Sequence, residues 1–429
     1  MLDAVKQIND VLWNVLLLIL LCGTGVYFTI RLKFIQVRKF GEGIKTVFGG
    51  LRLRGEKAKN GEMSSFQSLA TAIAAQVGTG NLAGAATALV SGGPGAIFWM
   101  WVSAFFGMAT VYGEAVLAQQ HKTERNGEIT GGPVYYIRAA FRGKLGKILS
   151  AVFAVLIILA LGFMGNMVQA NSVGAAFTSV FSARGVELNP LWIGIPLALL
   201  AVFVFVGGVS RMAAVVEKLV PVMALVYILG ALALIFINIQ AFPAAFLSII
   251  KGAFAPQSVL GAAAGITVRE AIRYGVARGL FSNEAGMGST PHAHARAKVK
   301  NPHQQGVAAM ISVFIDTFVI LNLTAFAVLS SGVMDGSTTG IALTQKVFVS
   351  DFGGFGDIFV AVCLLFFAFS TMIGWHFFGQ INIKYLFGPK AVKIYSVLVA
   401  GFIALGSCLK VDLVWELADM FNEIGRAHV

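Results

Sequence analysis

Long apolar segments recur along almost the whole chain, separated by short polar ones. A helix that crosses the hydrocarbon core of a bilayer needs about 20 mostly apolar residues. Such segments lie near residues 11–30, 65–90, 95–119, 148–177, 190–209, 214–238, 305–331, 355–379 and 391–409, with another beginning near residue 411. The first lacks the basic flank and cleavage site of a signal peptide, so we expect a retained helix. The pattern predicts an all-α polytopic membrane protein.

Two segments at membrane depth contain too many glycines and polar residues for a regular helix. Gly78–Asn81 falls in the middle of the apolar run 64–90. Segment 259–295 is too polar to score as a membrane helix, yet the alternation of basic loops requires a crossing between residues 255 and 290. Irregular backbone survives at this depth only where protein or a water-filled cavity satisfies its polar groups. We therefore predict two broken helices. For Gly78 and Gly80 the alternative is that they only allow close packing between regular helices.

The two predicted breaks occupy equivalent positions in the chain. With an N-terminal helix (1–31) and a basic cytoplasmic loop (32–63) set aside, the crossings divide into two sets of five, 64–238 and 239–422. A broken helix opens each set, and because five is odd the second set runs inverted. Paired interrupted helices in inverted repeats are typical of secondary transporters that bind their substrate near the midplane. We therefore predict a 5+5 inverted repeat with one extra N-terminal helix.

Composition and charge leave few other classes open. Apolar residues make up 57% of the chain and charged residues 12%, and the mean hydropathy is +0.80, whereas soluble domains carry roughly 25% charged residues. A net charge of +12 would suggest nucleic acid as partner of a soluble protein. Here most Lys and Arg residues fall in alternate loops, beginning with 32–63, as cytoplasmic loops require. We predict a cell (inner) membrane protein with its N-terminus outside, in contact with the lipid bilayer, with no nucleic-acid partner and no evident obligate protein partner.

The polar groups at the first break suit an ion and a zwitterion. Glycine permits unwinding, which frees N–H groups on one side and C=O groups on the other. Helix N-termini favour a carboxylate, and freed carbonyls with side-chain oxygens suit a small hard cation such as Na⁺. Thr79 and Asn81 add a hydroxyl and an amide. The other interpretation of these two side chains is internal helix capping without a ligand.

Further polar side chains at membrane depth are functional candidates, because burial there is costly. Asn166 and Gln169 share a helix face and, with Asn171, either line a permeation path or join helices by hydrogen bonds. The Ser370–Thr371 pair supplies two hydroxyls for part of an alkali-cation site, or bonds to its own helix backbone.

Two carboxylates are harder to place. Asp316 lies about ten residues into its predicted helix and must find a partner, for which Arg278 and the region of Glu284 are candidates. Glu114 lies near the cytoplasmic end of its helix and is expected to face solvent.

The sequence shows neither a nucleophile with a base and an orienting group nor a phosphate-binding loop, so an enzyme and an ATP-driven pump are disfavoured.

One segment identifies a family. Residues 92–107, GGPGAIFWMWVSAFFG, closely resemble the signature of the alanine/glycine:cation symporter family, the sodium:alanine symporters, of the amino acid–polyamine–cation superfamily. Blocks that are also similar to this family are QVGTGNLAG (76–84), GNMVQANSV (165–173), GLFSNEAGMGSTPHAHA (279–295) and FSTMIGW (369–375). The resemblance covers nearly the whole chain. It implies a leucine-transporter-type fold and the transport of alanine or glycine with Na⁺.

The resemblance also implies roles for individual residues. The residues of the two breaks that would hold the amino acid's carboxylate and amine are Gly78, Thr79, Gly80, Asn81, Phe281, Ser282 and Asn283. Gln169 and Trp375 would border the substrate pocket. The groups of the implied Na⁺ site are the backbone of Ala74 and Val77 and the side chains of Ser370 and Thr371.

The end of the chain departs from the family pattern. The sequence stops about ten residues into its last core helix, so we expect that helix to be truncated. Residues 423–429, EIGRAHV, read like translated adapter DNA and are expected to be a non-native tail.

Together these features predict a secondary active transporter and not an enzyme. We expect Na⁺-coupled symport of small neutral amino acids by alternating access, with Na⁺ as the co-transported ion. The alternative within transport is an H⁺-coupled amino acid symporter with Asp316 or Glu284 as the proton site. A channel would instead need a continuous polar pore. Alanine and glycine stay open as substrates at this stage.

Overall fold

Helices of membrane-spanning character make up most of the structure. The computed structural model describes residues 17–49, 62–125, 127–255 and 267–409. In chain order the helices are α1 (Leu17–Arg31), α2 (Ile35–Arg38), α3 (Phe40–Phe48), α4 (Ser65–Gln76), α5 (Ala85–Gly92), α6 (Gly95–Gln120), α7 (Pro133–Ala140), α8 (Gly143–Ile157), α9 (Asn166–Ser182), α10 (Leu191–Val206), α11 (Gly208–Ile237), α12 (Phe242–Phe254), α13 (Val268–Asn283), α14 (Pro291–Ala295), α15 (Pro302–Phe314), α16 (Asn322–Ser331), α17 (Gly340–Phe352), α18 (Gly356–Phe387) and α19 (Ala391–Gly406). Strands β1 (Thr123–Arg125) and β2 (Glu128–Thr130) form an antiparallel hairpin, and π-helical turns cover Gly80–Gly84, Ile158–Gly165 and Ile315–Leu321.

The predicted apolar runs between residues 65 and 409 all coincide with helices. Within the described ranges, the continuous helical runs that are long and apolar enough to cross a membrane are Gly95–Gln120, Gly143–Ser182, Gly208–Ile237, Pro302–Ser331 and Gly340–Phe387. The bent pair Ser65–Gln76 and Gly80–Gly92 is also long and apolar enough when its two halves are taken together. The run predicted from residue 411 and the tail 423–429 lie outside the described residues, as do residues 1–16 of the N-terminal helix and 50–61 of the basic loop.

The first predicted break is present in the structure. Helix α4 begins with a capping box, in which the Ser64 hydroxyl accepts from the Gln67 N–H at 3.0 Å and the Gln67 side chain accepts from the Ser64 N–H at 3.1 Å. The helix ends at Gln76, Val77 is extended (φ −83°, ψ 90°), and the chain resumes in a π-helical turn. The two halves are bent by 44°. The glycines therefore mark an interruption and not only a site of close packing.

The second predicted break is also present. Helix α13 begins with a capping box between Thr267 and Glu270 and ends at Asn283, after which Glu284 takes a left-handed conformation (φ 57°, ψ 14°). Gly286 and Gly288 also have positive φ, 77° and 70°, a conformation that glycine adopts without steric cost. Helical structure returns only in the short helix α14. Residues 284–290 thus form an irregular segment in the predicted region. Phe281, Ser282 and Asn283, which the sequence assigned to the break itself, lie instead in the last turn of α13.

The two broken helices are also joined on the side predicted to be cytoplasmic. The Met63 N–H, just before α4, donates to the Arg296 carbonyl at 2.9 Å, and the Lys298 N–H donates to the Met63 carbonyl at 3.0 Å. This backbone bridge connects the start of the first broken helix to the end of the second. The ends of both elements are therefore fixed relative to each other.

Several elements were not expected from the sequence. Helices α7, α12 and α17 and the hairpin β1–β2 are shorter than a membrane crossing, so a search for apolar runs of spanning length does not detect them. Helix α12 packs against the start of α6 through two glycines. A Cβ at Gly95 would lie 2.1 Å from the Gly252 carbonyl oxygen, so the two backbones are in direct contact.

Candidate functional site

The two breaks contact each other in the interior of the helix bundle. The Gln76 side-chain amide donates to the Asn283 carbonyl at 2.8 Å. A Cβ placed on Gly80 would lie 3.2 Å from the Cα of Ser282, so only glycine allows this approach without displacement. The structure therefore brings together the two segments that the sequence predicts to form the site.

Backbone and hydroxyl oxygens converge where α18 passes the first break. The Thr371 hydroxyl lies 2.7 Å from the Ala74 carbonyl oxygen and 3.3 Å from that of Val77. It also lies 3.0 Å from the Phe367 carbonyl oxygen, which the Ser370 hydroxyl approaches to 2.8 Å. The Ala74 and Val77 carbonyls and the Thr371 hydroxyl thus lie together. The Ser370 hydroxyl, which also lies 3.3 Å from the Met223 sulfur, joins them only through the Phe367 carbonyl. Both hydroxyls therefore also make the bond to their own helix backbone that the sequence left open as the alternative.

Polar groups of the first break face the opposite direction from this cluster. The Gly78 N–H donates to Asn81 Oδ1 at 2.9 Å, and the Thr79 N–H donates to Gln169 Oε1 at 3.2 Å. The Thr79 hydroxyl is buried and has no hydrogen-bond partner among the described residues.

Asp316 lies between the two breaks and is completely buried. Its Oδ1 accepts from the Asn81 side chain at 2.7 Å and from the Ser282 hydroxyl at 2.9 Å, and its Oδ2 accepts from the Thr317 hydroxyl at 2.9 Å. The sequence pointed to Arg278 or the region of Glu284 for its partner; Ser282 lies in that region, but Asn81 was not foreseen. The Asn283 amide also donates to Thr317, at 3.2 Å. One carboxylate therefore links both breaks.

Two aromatic side chains form a wall beside the second break. The rings of Phe281 and Trp375 are nearly perpendicular, with centroids 6.3 Å apart. Trp375 packs so closely against Gly165 that a Cβ there would lie 2.6 Å from the indole. On its other edge, the indole N–H donates to the Glu284 carboxylate. Phe281 and Trp375 thus pack together beside the second break, and Gln169 contacts the first break through the Thr79 N–H.

The site is closed to solvent on both sides. Phe281 is the most exposed of the predicted binding side chains, and only 4% of its surface is accessible, whereas Thr79, Asn81 and Asn283 are fully buried. A ligand can therefore reach these groups only after a conformational change.

Charged side chains form a cluster on the predicted cytoplasmic face. Glu128 in the hairpin accepts from Arg296 at 3.0 Å and from Lys384 at 2.9 Å. Partial burial raises the pKa of the Glu128 carboxyl, but the hydrogen bonds and charges of Lys384 and Arg296 outweigh this effect and hold the pKa below its usual value. The hairpin thereby connects the end of the second broken helix to the end of α18.

Three other polar candidates lie outside the site. The Asn166 amide donates to carbonyls of its own helix at 2.9 and 3.1 Å, and the Asn171 amide donates to the Gly406 and Leu409 carbonyls, which joins α9 to the end of α19. The expectation that Glu114 faces solvent was wrong. It is 5% exposed, and its carboxylate accepts from the Gly288 N–H at 3.0 Å, so it supports the irregular segment after α13.

Known proteins resemble this chain along its whole length. It matches the sodium:alanine symporter family over residues 1–425. It is 40% identical to the sodium/alanine symporter AgcS of Methanococcus maripaludis, with 97% of this chain and 91% of the relative covered. It is 41% identical to the probable sodium/glutamine symporter GlnT of Bacillus subtilis, covering 96% of this chain and 84% of the relative.

A solved structure shows the same fold at much lower sequence identity. The manganese transporter of Eremococcus coleocola superimposes with a TM-score of 0.56 at 12% identity, covering 87% of this chain and 80% of the transporter. The likeness to the manganese transporter shows only that the helical architecture is shared, whereas the full-length sequence matches show common descent. Because of those sequence matches, the chain belongs to the sodium:alanine symporter family.

Proposed function

We propose that this transporter couples the movement of Na⁺ to that of a small neutral amino acid, alanine or glycine. The observation that carries the proposal is the oxygen cluster of Ala74, Val77, Phe367, Ser370 and Thr371, in which three backbone carbonyls meet two hydroxyls. Neutral oxygen ligands suit a hard cation. The Thr371 hydroxyl now donates to these carbonyls; in the ion-bound state it would turn its lone pairs to the cation.

The amino acid would bind on the other side of the same break. The N–H groups of Gly78 and Thr79 lie where the helix is unwound, and they are the donors that a carboxylate requires. In this structure they bond to the side chains of Asn81 and Gln169, which a substrate carboxylate would replace. The Asp316 carboxylate, to which the Ser282 hydroxyl donates at 2.9 Å, would accept the ammonium group.

The borders of the space favour a small side chain. Phe281 and Trp375 close one side and Gln169 another, and each is almost completely buried. In apolar pockets one additional methylene changes binding by about 1–3 kcal/mol. Glycine and alanine are therefore the proposed substrates.

We further propose alternating access between two inverted five-helix sets in a cell membrane, with the N-terminus outside. Two similarities between the sets support this arrangement. Each broken helix begins with a capping box, at Ser64–Gln67 and at Thr267–Glu270, and each is interrupted where it meets the other. Because the site is closed on both sides, transport requires at least two further conformations that open it in turn.

The proposal is tested by uptake of labelled alanine into proteoliposomes with an inward Na⁺ gradient. We expect uptake to fall to background when K⁺ replaces Na⁺. Thr371→Val keeps the side-chain shape but removes the hydroxyl, and it should raise the Na⁺ concentration for half-maximal uptake. Thr87→Val is the matched control, because the Thr87 hydroxyl donates to the Ala83 carbonyl of its own helix at 2.9 Å. Uptake that is unchanged in K⁺ would refute Na⁺ coupling.

The second candidate is H⁺-coupled symport, and the position of Asp316 favours it. A buried carboxylate that links both breaks can bind a proton in place of a cation. In that case an inward pH gradient without Na⁺ should drive alanine uptake, and Asp316→Asn should abolish this uptake. If Na⁺ supports uptake in the absence of a pH gradient, and a pH gradient alone does not, H⁺ coupling is excluded.

A further inference from the structure

Glu284 has a combination of properties that packing does not require. It follows the last residue of α13 in a left-handed conformation (φ 57°), which among the described non-glycine residues only Lys33 and Phe34 share. This conformation costs roughly 1–2 kcal/mol for a residue with a Cβ, and glycine would avoid the cost. Its side chain is a carboxylate that is completely buried. Two unfavourable features at one position indicate that the carboxylate has a function.

The contacts of this carboxylate show what it does. One oxygen accepts from the indole N–H of Trp375, and the other accepts from the Ser289 hydroxyl at 2.5 Å. The Glu284 N–H donates to the Leu280 carbonyl at 2.9 Å, which fixes the backbone at the end of α13. The carboxylate therefore connects the second break to α18, on which Trp375 lies.

The indole of Trp375 is held at both edges. Gly165 contacts its six-membered ring, and the Glu284 carboxylate holds its N–H. Without the second contact, the indole could rotate away from Gly165 and from the ring of Phe281. The wall beside the proposed substrate space would then open.

We propose that Glu284 is a positioning residue that sets the size limit of the substrate by fixing the Trp375 indole. This inference rests on the proposed substrate site. A hydrogen bond to a charged group contributes about 1.5–3 kcal/mol, and 1.4 kcal/mol corresponds to a tenfold change in affinity. Loss of the Glu284–Trp375 bond should therefore reduce the preference for alanine over larger amino acids by roughly tenfold or more.

The experiment measures selectivity, which a merely structural role would not change. Uptake of labelled alanine into proteoliposomes is competed with unlabelled glycine, alanine, serine, valine and leucine. Glu284→Ala should lower the valine-to-alanine ratio of inhibitory concentrations about tenfold. Glu284→Gln retains a carbonyl oxygen for the indole and should keep the ratio within about twofold. Ser289→Ala, which removes only the second bond, is the matched control and should keep the ratio as well.

Trp375→Phe provides an independent variant that lacks the indole N–H. It should broaden selectivity at least as much as Glu284→Ala, because it removes both the bond and part of the ring that forms the wall. Adding Glu284→Ala to Trp375→Phe should broaden selectivity no further, because the bond is already lost. If Glu284→Ala does not fold, Glu284→Gly tests the same loss with an unstrained backbone. The proposal is overturned if the variants reduce transport of all amino acids in equal proportion, or if Glu284→Gln broadens selectivity as much as Glu284→Ala. If the unmodified protein takes up no alanine, the proposed function fails instead.

Discussion

Replacing Gly78 with alanine tests whether the oxygen cluster is the Na⁺ site. A Cβ at this position would lie 2.5 Å from the Thr371 hydroxyl and 3.2 Å from both side-chain heteroatoms of Gln169. No unstrained Cβ approaches a heavy atom to 2.5 Å, so the hydroxyl must move away from the Ala74 and Val77 carbonyls. Overpacking of a buried site typically costs about 1–3 kcal/mol.

The effect should appear as a loss of Na⁺ affinity. If the cost falls on the ion-bound state, the Na⁺ concentration for half-maximal alanine uptake rises roughly 5- to 150-fold. The assay is alanine uptake into proteoliposomes over a series of Na⁺ concentrations at constant ionic strength. The thermal stability of the purified variant, measured in parallel without Na⁺, shows how much of the cost falls on the ion-free state instead.

Gly84→Ala is the matched control, because Gly84 belongs to the same broken helix. The nearest atom to a Cβ at Gly84 is the Thr79 carbonyl oxygen at 4.0 Å, so the methyl group fits. Its half-saturating Na⁺ concentration should therefore equal that of the unmodified protein. The assignment of the cation site would be refuted if Gly78→Ala left the Na⁺ dependence unchanged, or if both substitutions shifted it equally.

Two further outcomes follow from other contacts. Gly95→Ala should prevent correct packing of the helices, because its Cβ would lie 2.1 Å from the Gly252 carbonyl oxygen. The expected result is aggregation in size-exclusion chromatography. Gly41→Ala is the control, because a Cβ at Gly41 has no atom within 4 Å, and this variant should elute as the unmodified protein does. Glu128→Gln should loosen the cytoplasmic closure and speed the alkylation of a cysteine introduced by Ser68→Cys in a background without native cysteines. Because the pKa of Glu128 is lowered, the carboxylate stays charged and keeps its contacts with Arg296 and Lys384 until the pH falls through that lowered pKa. The alkylation rate without the Glu128 change, divided at each pH by the rate of the same cysteine in the denatured protein to remove the effect of thiolate formation, should therefore stay constant between about pH 6 and pH 8.

Local sequence signals were sufficient to predict the interruptions of the two helices. Glycine next to polar residues at membrane depth has few structural explanations, and the charge pattern required a crossing where hydropathy showed none. The first break and the end of α13 were expected to meet, and they do so at Gly80 with Ser282 and at Gln76 with Asn283. Helices shorter than a bilayer crossing, such as α12 and α17, have no comparable signal and were missed.

Contacts between distant segments could not be predicted from the sequence. Glu284 and Trp375 are 91 positions apart, and only the fold brings them together. Glu114 was assigned to solvent because of its position near a helix end, yet the irregular segment after α13 covers it and supplies the Gly288 N–H. In each case the missing information is which element packs beside the residue.

The geometry of the first break indicates how an ion and an amino acid are coupled in the proposed mechanism. The peptide unit between Val77 and Gly78 has its carbonyl in the oxygen cluster and its N–H on the side of Asn81. A peptide unit is planar and rotates as one body, so a cation that orients the carbonyl also orients the N–H for the substrate carboxylate. The two affinities must then rise by the same factor, because binding coupling is reciprocal. A substitution that moves this peptide should therefore weaken alanine binding strongly at low Na⁺ and much less at saturating Na⁺.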